Sequence, residues 1–247
     1  MSKKIFLIGE ERDLFVDDDK DVNTEYGIIR STQLKKAKKG AIIKTHKGNR
    51  FIAAEPMLPD LMKRIVRLPQ IITLKDLGSI IVYGGIGETS KVLDVGTGSG
   101  VAACVIGSIA KKGVVVSYEI RKDFIRAAKK NIKLFGLENV KIINKDIKKG
   151  IKGRNFDFAL IDVADPWDLI QNISKSVRVG GRICCYSPSI IQVEKTLRAA
   201  PDNLKAERLI QNNEINWKVD IKRDILRPES SGIMHTGFLL FFLKTRD

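Results

Sequence analysis

Val92-Leu93-Asp94-Val95-Gly96-Thr97-Gly98-Ser99-Gly100 constrains the fold of this chain more than any other stretch. An apolar strand runs into a tight glycine turn, and an apolar helix, Val101 to Ala110, follows at once. Nucleotide-cofactor sites are laid out this way. Without Cβ atoms the backbone can approach a ligand closely, and the N–H groups at the helix start face it. The spacing is G-x-G-x-G; the G-x-G-x-x-G pyrophosphate fingerprint would need a small residue at 101, where Val101 stands. A second strand, Val114 to Glu119, ends in an acid about twenty residues downstream, where a βαβ unit carries its ribose-binding carboxylate. A bare βα turn with no ligand is the competing reading. The order strand, turn, helix, strand, acid argues against it.

From residue 73 onward the pattern alternates between helix and strand. Helix 74–82 precedes strand 91–95, helix 99–110, strand 114–119 and helix 122–135, which Gly136 bounds. Strands 140–144 and 156–161, helix 166–177, strand 182–186 and helix 190–200 follow, and two β-rich stretches, 206–221 and 237–243, end the series. Alternation with short links predicts a doubly wound α/β domain with a mostly parallel, Rossmann-like sheet. Before it, residues 4–9, 13–16, 26–31, 41–45 and 51–54 read as short strands of a small β-barrel or meander. Residues 58–66 make a short amphipathic helix that Pro69 ends. The predicted organisation is a β-rich module over 1–56 and the α/β domain over 57–247.

Charge is the second clue. Forty-four Lys and Arg stand against 29 Asp and Glu in 247 residues, a net charge of +15, which exceeds what solubility needs. The cations cluster, as at Lys35-Lys36-Ala37-Lys38-Lys39, Lys129-Lys130 and Lys145 through Arg154, which favours a nucleic-acid partner over a generic solvated surface. No apolar run is long enough to span a bilayer, and Met1 to Ile5 is too short for a signal peptide, so no membrane partner is expected. Three cysteines, two of them adjacent at Cys184 and Cys185, make neither a disulfide framework nor a metal set; buried thiols in a reducing cytoplasm are expected.

Ligands of open α/β sheets bind beyond the carboxyl ends of the strands, so those ends are read together. They deliver the turn Gly96, Thr97, Gly98, Ser99, Gly100 and Val101, then Glu119, Asp146, Asp162, and Tyr186-Ser187-Pro188. For Asp146 a plain strand-end or N-cap acid is an equal alternative. Asp162 could instead cap the helix at 166–177, where a carboxylate is favourable anyway.

The glycine turn and the acid at 119 resemble motifs I and II of the class I S-adenosylmethionine methyltransferases. Asp162-Val163-Ala164-Asp165-Pro166-Trp167 resembles the D-L-P-E-P-W-type segment of the archaeal and bacterial tRNA (adenine-N1)-methyltransferases. Leu68 to Asp76 resembles that family's R-T-Q-I-I-Y-P-K-D stretch, and Tyr186 to Lys195 its Y-x-P-x-x-x-Q-V stretch. Arg227-Pro228 and His235-Thr236-Gly237-Phe238-Leu239 resemble its ending. The chain departs at Leu68-Pro69 for Arg-Thr, at Thr73-Leu74 for Tyr-Pro, and at Asp165 for Glu.

The resemblance implies S-adenosylmethionine as cofactor and methylation of adenine N1 in the tRNA T-loop, at position 58 with 57 as a second candidate. It also implies a homotetramer, antiparallel closing strands in the sheet, and no metal. Glu119 would take the ribose hydroxyls and Asp146 the adenine amino group, with Gln70 and Asp162 as further cofactor contacts. Asp162 would also be catalytic. Adenine N1 is a neutral lone-pair nucleophile, so no base is needed there; a carboxylate accepting a hydrogen bond from N6–H would steady the growing positive charge and align N1. Asp165, Trp167, Tyr186 and His235 are substrate-side candidates. Helix–sheet packing competes for Trp167, and an ordinary turn role competes for His235. Rival functions are a protein L-isoaspartyl methyltransferase, disfavoured by the charge and the 162–167 segment, and a non-catalytic RNA-binding relative. A dehydrogenase is disfavoured by the glycine spacing.

Overall fold

The computed structural model describes residues 4–68, 71–229 and 235–247. The chain divides into two compact units, one up to Ile65 and one from Val66 on.

The first unit is β-rich. Strands β1 (Lys4–Ile8), β2 (Leu14–Asp17), β3 (Val22–Thr24) and β4 (Gly27–Ile29) precede helix α1 (Ser31–Lys36). Strands β5 (Ile42–Lys44) and β6 (Arg50–Ala54) and helix α2 (Leu58–Met62) follow. One antiparallel sheet runs β2-β1-β6-β5, and β3 pairs with β4 in a separate hairpin. Alternate residues Ile5, Leu7, Phe51 and Ala53 point inward and meet Ile29 and Leu34 in a small core. Strand β3 was not foreseen, because Val22-Asn23-Thr24 is too short and polar to show an alternating pattern.

The second unit is the doubly wound domain. Helix α3 (Leu74–Gly84) leads into β7 (Lys91–Val95), α4 (Val101–Ile109), β8 (Val114–Glu119), α5 (Lys122–Phe135), β9 (Val140–Asn144) and β10 (Phe156–Ile161). Helix α6 (Ile170–Ser174), β11 (Val177–Ser187), α7 (Ile190–Ala199), β12 (Leu204–Ile210), the hairpin β13 (Trp217–Asp220) with β14 (Ile225–Pro228), and β15 (Phe238–Lys244) complete it. The seven-stranded sheet has the order β12-β15-β11-β10-β7-β8-β9. Strands β7 to β11 pair in parallel, and β15 lies antiparallel between β11 and β12. The strand order reverses between β7 and β10, which opens a crevice beyond their carboxyl ends.

Central strands are buried on both faces and therefore read as continuous apolar runs: Phe158 to Ile161 is fully buried, as is Val92-Leu93. Gly136 ends α5 with a left-handed backbone at φ 65°, its N–H bonding back into the last turn.

The predicted helix 166–177 is corrected. A 3₁₀ turn at Pro166–Asp168 precedes the short α6, and the chain leaves helix at Ser174. There Ser174 Oγ donates to the Gln171 carbonyl and Ser176 Oγ to that of Ile173, local bonds that compete with the helix. Strand β11 consequently starts at Val177, ahead of the expected 182, and runs through Gly180-Gly181, where Gly180 at φ 77° makes it irregular.

Candidate functional site

The glycine turn sits at the switch point, and its shape leaves no room for a Cβ at Gly96 or Gly100. Gly96 has φ 94°, and a Cβ there would lie 2.0 Å from the backbone oxygen of Asp162. The chain leaving β10 thus passes directly against the chain leaving β7, helped by the Asp162 N–H donating to the Val95 carbonyl at 2.8 Å. Gly96 and Thr97 N–H both donate to the Tyr118 carbonyl at 3.1 Å, which stitches the turn to β8. Gly100, at φ 76°, is the N-cap of α4 and lies so close to α5 that a Cβ would meet Ala128 Cβ at 2.8 Å.

Glu119 braces this turn. Its Oε2 accepts from Gly98 N–H at 3.0 Å, and its Oε1 accepts from Ile120 and Arg121 N–H at 2.8 and 2.9 Å. Each carboxylate oxygen has two lone pairs, so acceptor capacity remains for a ligand hydroxyl. Beside it opens a cavity of about 350 Å³, lined by Gly96, Glu119, Ile120, Asp146, Ile147 and Leu169 among others. Asp146 has the N-cap role weighed for it and also lines this cavity. One oxygen caps the 3₁₀ turn at Ile147–Lys149 by accepting from Lys148 N–H at 2.9 Å, while the residue lines the cavity.

Asp162 follows β10 and Tyr186 sits near the end of β11. Ile161 pairs with Cys185, so the two side chains stand level on neighbouring strands and share a sheet face. The Asp162 carboxylate makes no hydrogen bond to another described residue and does not cap the turn at Pro166–Asp168, whose N-cap is Asp165. Burial pushes it up to about 7, with the negative field of Asp94 adding to the shift. Asp94, in the middle of β7 and 1% exposed, is itself pushed up to about 6 by burial, against the opposing hydrogen bond from Ser117 Oγ at 2.5 Å. Its second oxygen is buried without a partner among the described residues. A half-buried carboxylate with unused acceptor capacity, poised near neutrality, suits a donor N–H on a group that is gaining positive charge.

Residues 57–208 match the family model described as the tRNA methyltransferase complex GCD14 subunit. The chain belongs to this methyltransferase family. A TrmI of Methanocaldococcus jannaschii, named tRNA (adenine(57)-N(1)/adenine(58)-N(1))-methyltransferase, is 31% identical over 87% of this chain and 85% of its own length. Among solved structures, the tRNA (m1A58) methyltransferase TrmI of Aquifex aeolicus aligns with a TM-score of 0.77 at 26% identity, covering 99% of this chain and 98% of that one. A SAM-dependent O-methyltransferase of Thermotoga maritima aligns with a TM-score of 0.82 at 28% identity, covering 99% and 94%. The chain is therefore a methyltransferase with the class I fold.

The remaining expected site residues of this methyltransferase differ in their surroundings. Thr97, Ser99 and Val101 are buried and shape the turn: Thr97 Oγ1 bonds Ser117 Oγ, and Ser99 Oγ accepts from Leu68 N–H at 3.0 Å. Asp165 is exposed on the cavity rim. Trp167 is half-buried under the ammonium of Lys195, 4.8 Å from the ring centroid. Tyr186 is 6% exposed, and burial pushes its phenol up to about 12. His235 is exposed, with Nε2 2.9 Å from the Pro188 carbonyl and its ring tilted on Phe238. Gln70 lies outside the described residues.

Two residues escaped sequence reasoning. Asn131, 1% exposed on α5, donates from Nδ2 to the carbonyls of Ser99 at 2.8 Å and Val66 at 3.0 Å, and accepts from Val66 N–H at 2.8 Å. It ties residues 66–68 to the glycine turn; its signal was an amide on the apolar face of an amphipathic helix. Asp94 was visible as a lone acid in an apolar strand.

Proposed function

We propose that this chain transfers the methyl group of S-adenosylmethionine to N1 of an adenine in tRNA, at T-loop position 58 and, as a second target, 57. The observation that carries this reading is Asp162: an acid without a partner among the described residues, on the sheet face beside Tyr186, where the chain leaving β10 touches Gly96. The family membership and the names of the relatives point to the same reaction. The residues present fit the cofactor: Gly96 leaves its cradle free of a Cβ, Glu119 keeps a spare acceptor position on Oε2 at the end of β8, and a cavity of about 350 Å³ adjoins both.

Glu119 would hold the ribose hydroxyls. Asp146 would meet the adenine amino group from the far wall, beside Ile147 and Leu169, which supply apolar surface. When bound, the cofactor supplies an electrophilic methyl group on a sulfonium centre. The target adenine must leave its stack to reach this depth. Tyr186 offers a flat wall for it, and Asp162 accepts from its N6–H. That hydrogen bond aligns N1 and strengthens as positive charge spreads over N1 and N6, so it favours the transition state over the ground state. Asp165 lines the cavity and would touch a nucleotide flanking the target; His235, exposed beside Pro188, and Trp167 would be further substrate contacts.

RNA binding would fall to the exposed cations at Lys35, Lys36, Lys38, Lys39, Lys129, Lys130, Lys145, Lys149, Lys152 and Arg154. The molecule would act in the cytoplasm; among the described residues no helix is long and apolar enough to cross a membrane. We read the assembly as a homotetramer. Hairpin β13–β14 supports this, exposing Trp217, Val219, Ile221 and Leu226 at 55–78%. An isolated two-stranded hairpin is marginal in water, and such an apolar surface invites a second copy.

The test is a tRNA transcript incubated with labelled S-adenosylmethionine, digested to nucleosides and separated by mass spectrometry. We expect 1-methyladenosine, with a primer-extension stop at position 58. Label in an isoaspartyl peptide and none in tRNA would overturn the reading.

A further inference from the structure

The second unit holds a buried polar cluster that none of the roles above uses. Asp76, in the first turn of α3, is 0% exposed. Its carboxylate accepts from Lys75 Nζ at 3.1 and 3.2 Å, Thr73 Oγ1 at 3.1 Å, Thr236 Oγ1 at 2.6 Å and Asn212 Nδ2 at 3.0 Å. Lys75 Nζ also donates to Thr236 Oγ1 at 2.6 Å and to the Asn212 carbonyl at 2.9 Å. Asn212 Nδ2 reaches Ser79 Oγ at 3.0 Å as well. Three segments far apart in sequence are joined here: the start of α3, the chain after β12 and the chain before β15.

The chain before β15 continues from Thr236 into Gly237, and Gly237 packs on Tyr186. A Cβ at 237 would meet the Tyr186 ring at 2.6 Å and its hydroxyl oxygen at 2.9 Å. Thr236 therefore sets the position of the backbone that presses on the ring, and the buried pair sets the position of Thr236. The Tyr186 hydroxyl has no well-formed hydrogen bond among the described residues, although Thr236 stands beside it. Packing, with Gly237 as one face of it, therefore places the ring. Tyr186 in turn stands level with Asp162.

We propose that Lys75 and Asp76 are positioning residues for the acceptor base: the pair clamps Thr236 and Asn212 to α3 and so fixes the Tyr186–Gly237 wall beside Asp162. This inference rests on the reading that the target adenine sits against Tyr186 and Asp162. The pair touches neither donor nor base. Its loss displaces one wall of the acceptor pocket and leaves the Gly96–Glu119 side intact. An error of about 1 Å in such a wall can cost about a hundredfold in rate.

Breaking one partner of a buried pair leaves an uncompensated charge and threatens the fold, whereas replacing both with apolar groups of similar size is often neutral for stability. The test therefore uses the double variant Lys75→Met/Asp76→Leu, with Thr236→Val and Lys75→Arg beside it. Each full-length protein is measured for Tm, S-adenosylmethionine affinity by calorimetry, tRNA affinity by filter binding, and kcat for 1-methyladenosine formation. For the double variant and Thr236→Val we expect kcat lower by about tenfold to a hundredfold, with both affinities within about threefold of wild type. Lys75→Arg, which keeps the charge and can donate again, should recover part of kcat. Unchanged kcat in a folded double variant, or a loss confined to donor affinity, would overturn the proposal. If wild type itself makes no 1-methyladenosine, the underlying reading fails; if wild type is active and Asp162→Asn is not, the positioning claim is tested by itself.

Discussion

Asp162→Asn removes one charge and little else, so its effect can be worked from the site. The substitution preserves size and an acceptor oxygen, which isolates the negative charge as the variable. At about 4 Å and an effective dielectric of about 20, two full charges attract by about 4 kcal/mol; a transition state carries only part of that charge, shared between N1 and N6. Preorganised donors or acceptors facing such developing charge are worth about 2.7–4 kcal/mol, or about 10²–10³ in kcat. We therefore expect kcat for tRNA to fall by about 10²–10³ while affinity for S-adenosylmethionine changes less than about tenfold. The pH profile gives an independent check. Burial raises the Asp162 carboxyl to about 7, so below that pH it is protonated and cannot act as an anion. Wild-type kcat/KM should climb by about tenfold per pH unit below 7 and level off above it, whereas Asp162→Asn should lack that limb. Single-turnover methylation of a tRNA transcript under saturating donor, run from pH 5.5 to 9, measures both. A variant within about threefold of wild type, or one that keeps the acid limb, would refute a role for the charge.

Asp94 contributes to the height of the Asp162 carboxyl, second to burial, so Asp94→Asn should move the acid limb to lower pH; an unmoved midpoint would refute the coupling. Gly96→Ala places a Cβ 2.0 Å from a backbone oxygen at φ 94°, and calorimetry should find donor binding abolished, because neither backbone can yield locally. Asn131→Ala strips a buried amide from Ser99 and Val66, which thermal or urea unfolding should register as a loss of about 2–4 kcal/mol. Affinity for tRNA should fall by about 10³-fold between 50 and 200 mM salt if the exposed lysines make about six or more phosphate contacts, and a flat salt titration would exclude them.

The strands and helices around the cofactor end were legible because each carries its own local signal. Strands 91–95, 114–119, 140–144 and 156–161 and helix 122–135 fall where pattern and punctuation put them. Buried parallel strands are continuous apolar runs, and Gly136 ends α5 by a conformation that glycine adopts readily. Where the reading slipped, tertiary contacts overrode the local pattern. Val177 ends the expected helical run, yet it pairs with Phe156 of β10 and opens strand β11, with Gly180-Gly181 lying at the irregularity that follows. The acids at the strand ends were likewise visible as a set, because strand order converts sequence position into a common rim. Partners in a buried network are not visible in this way. Lys75, Asn212 and Thr236 lie on three separate segments, and no spacing rule connects residues 137 or 161 positions apart. Nor does a sequence show that Asp94 lies beneath Asp162, which follows only from β7 and β10 being neighbours in the sheet.

The electrostatics of the site follow from one property of the proposed reaction: positive charge is moved and not created. It begins on the sulfonium centre and ends on the methylated purine. Because Asp162 would hydrogen-bond the purine and not the sulfonium centre, its interaction grows as the charge arrives on the purine. Such an anion in a cation-rich protein would ordinarily pair with a lysine, and a lysine there would repel both the donor and the methylated base. Asp162 avoids this by being held among Asp94 and backbone, where burial keeps its carboxyl near neutrality and no described cation reaches it. Nearby acids differ: exposed Asp168 takes Lys148 at 2.8 Å and half-buried Asp146 takes a backbone N–H. The net charge of +15 can then act on the tRNA backbone from the surface while the acceptor site stays locally anionic. A raised carboxyl at 162 is thus a consequence of excluding competing cations, and it ties the reaction's dependence on pH to the same burial that makes the charge effective.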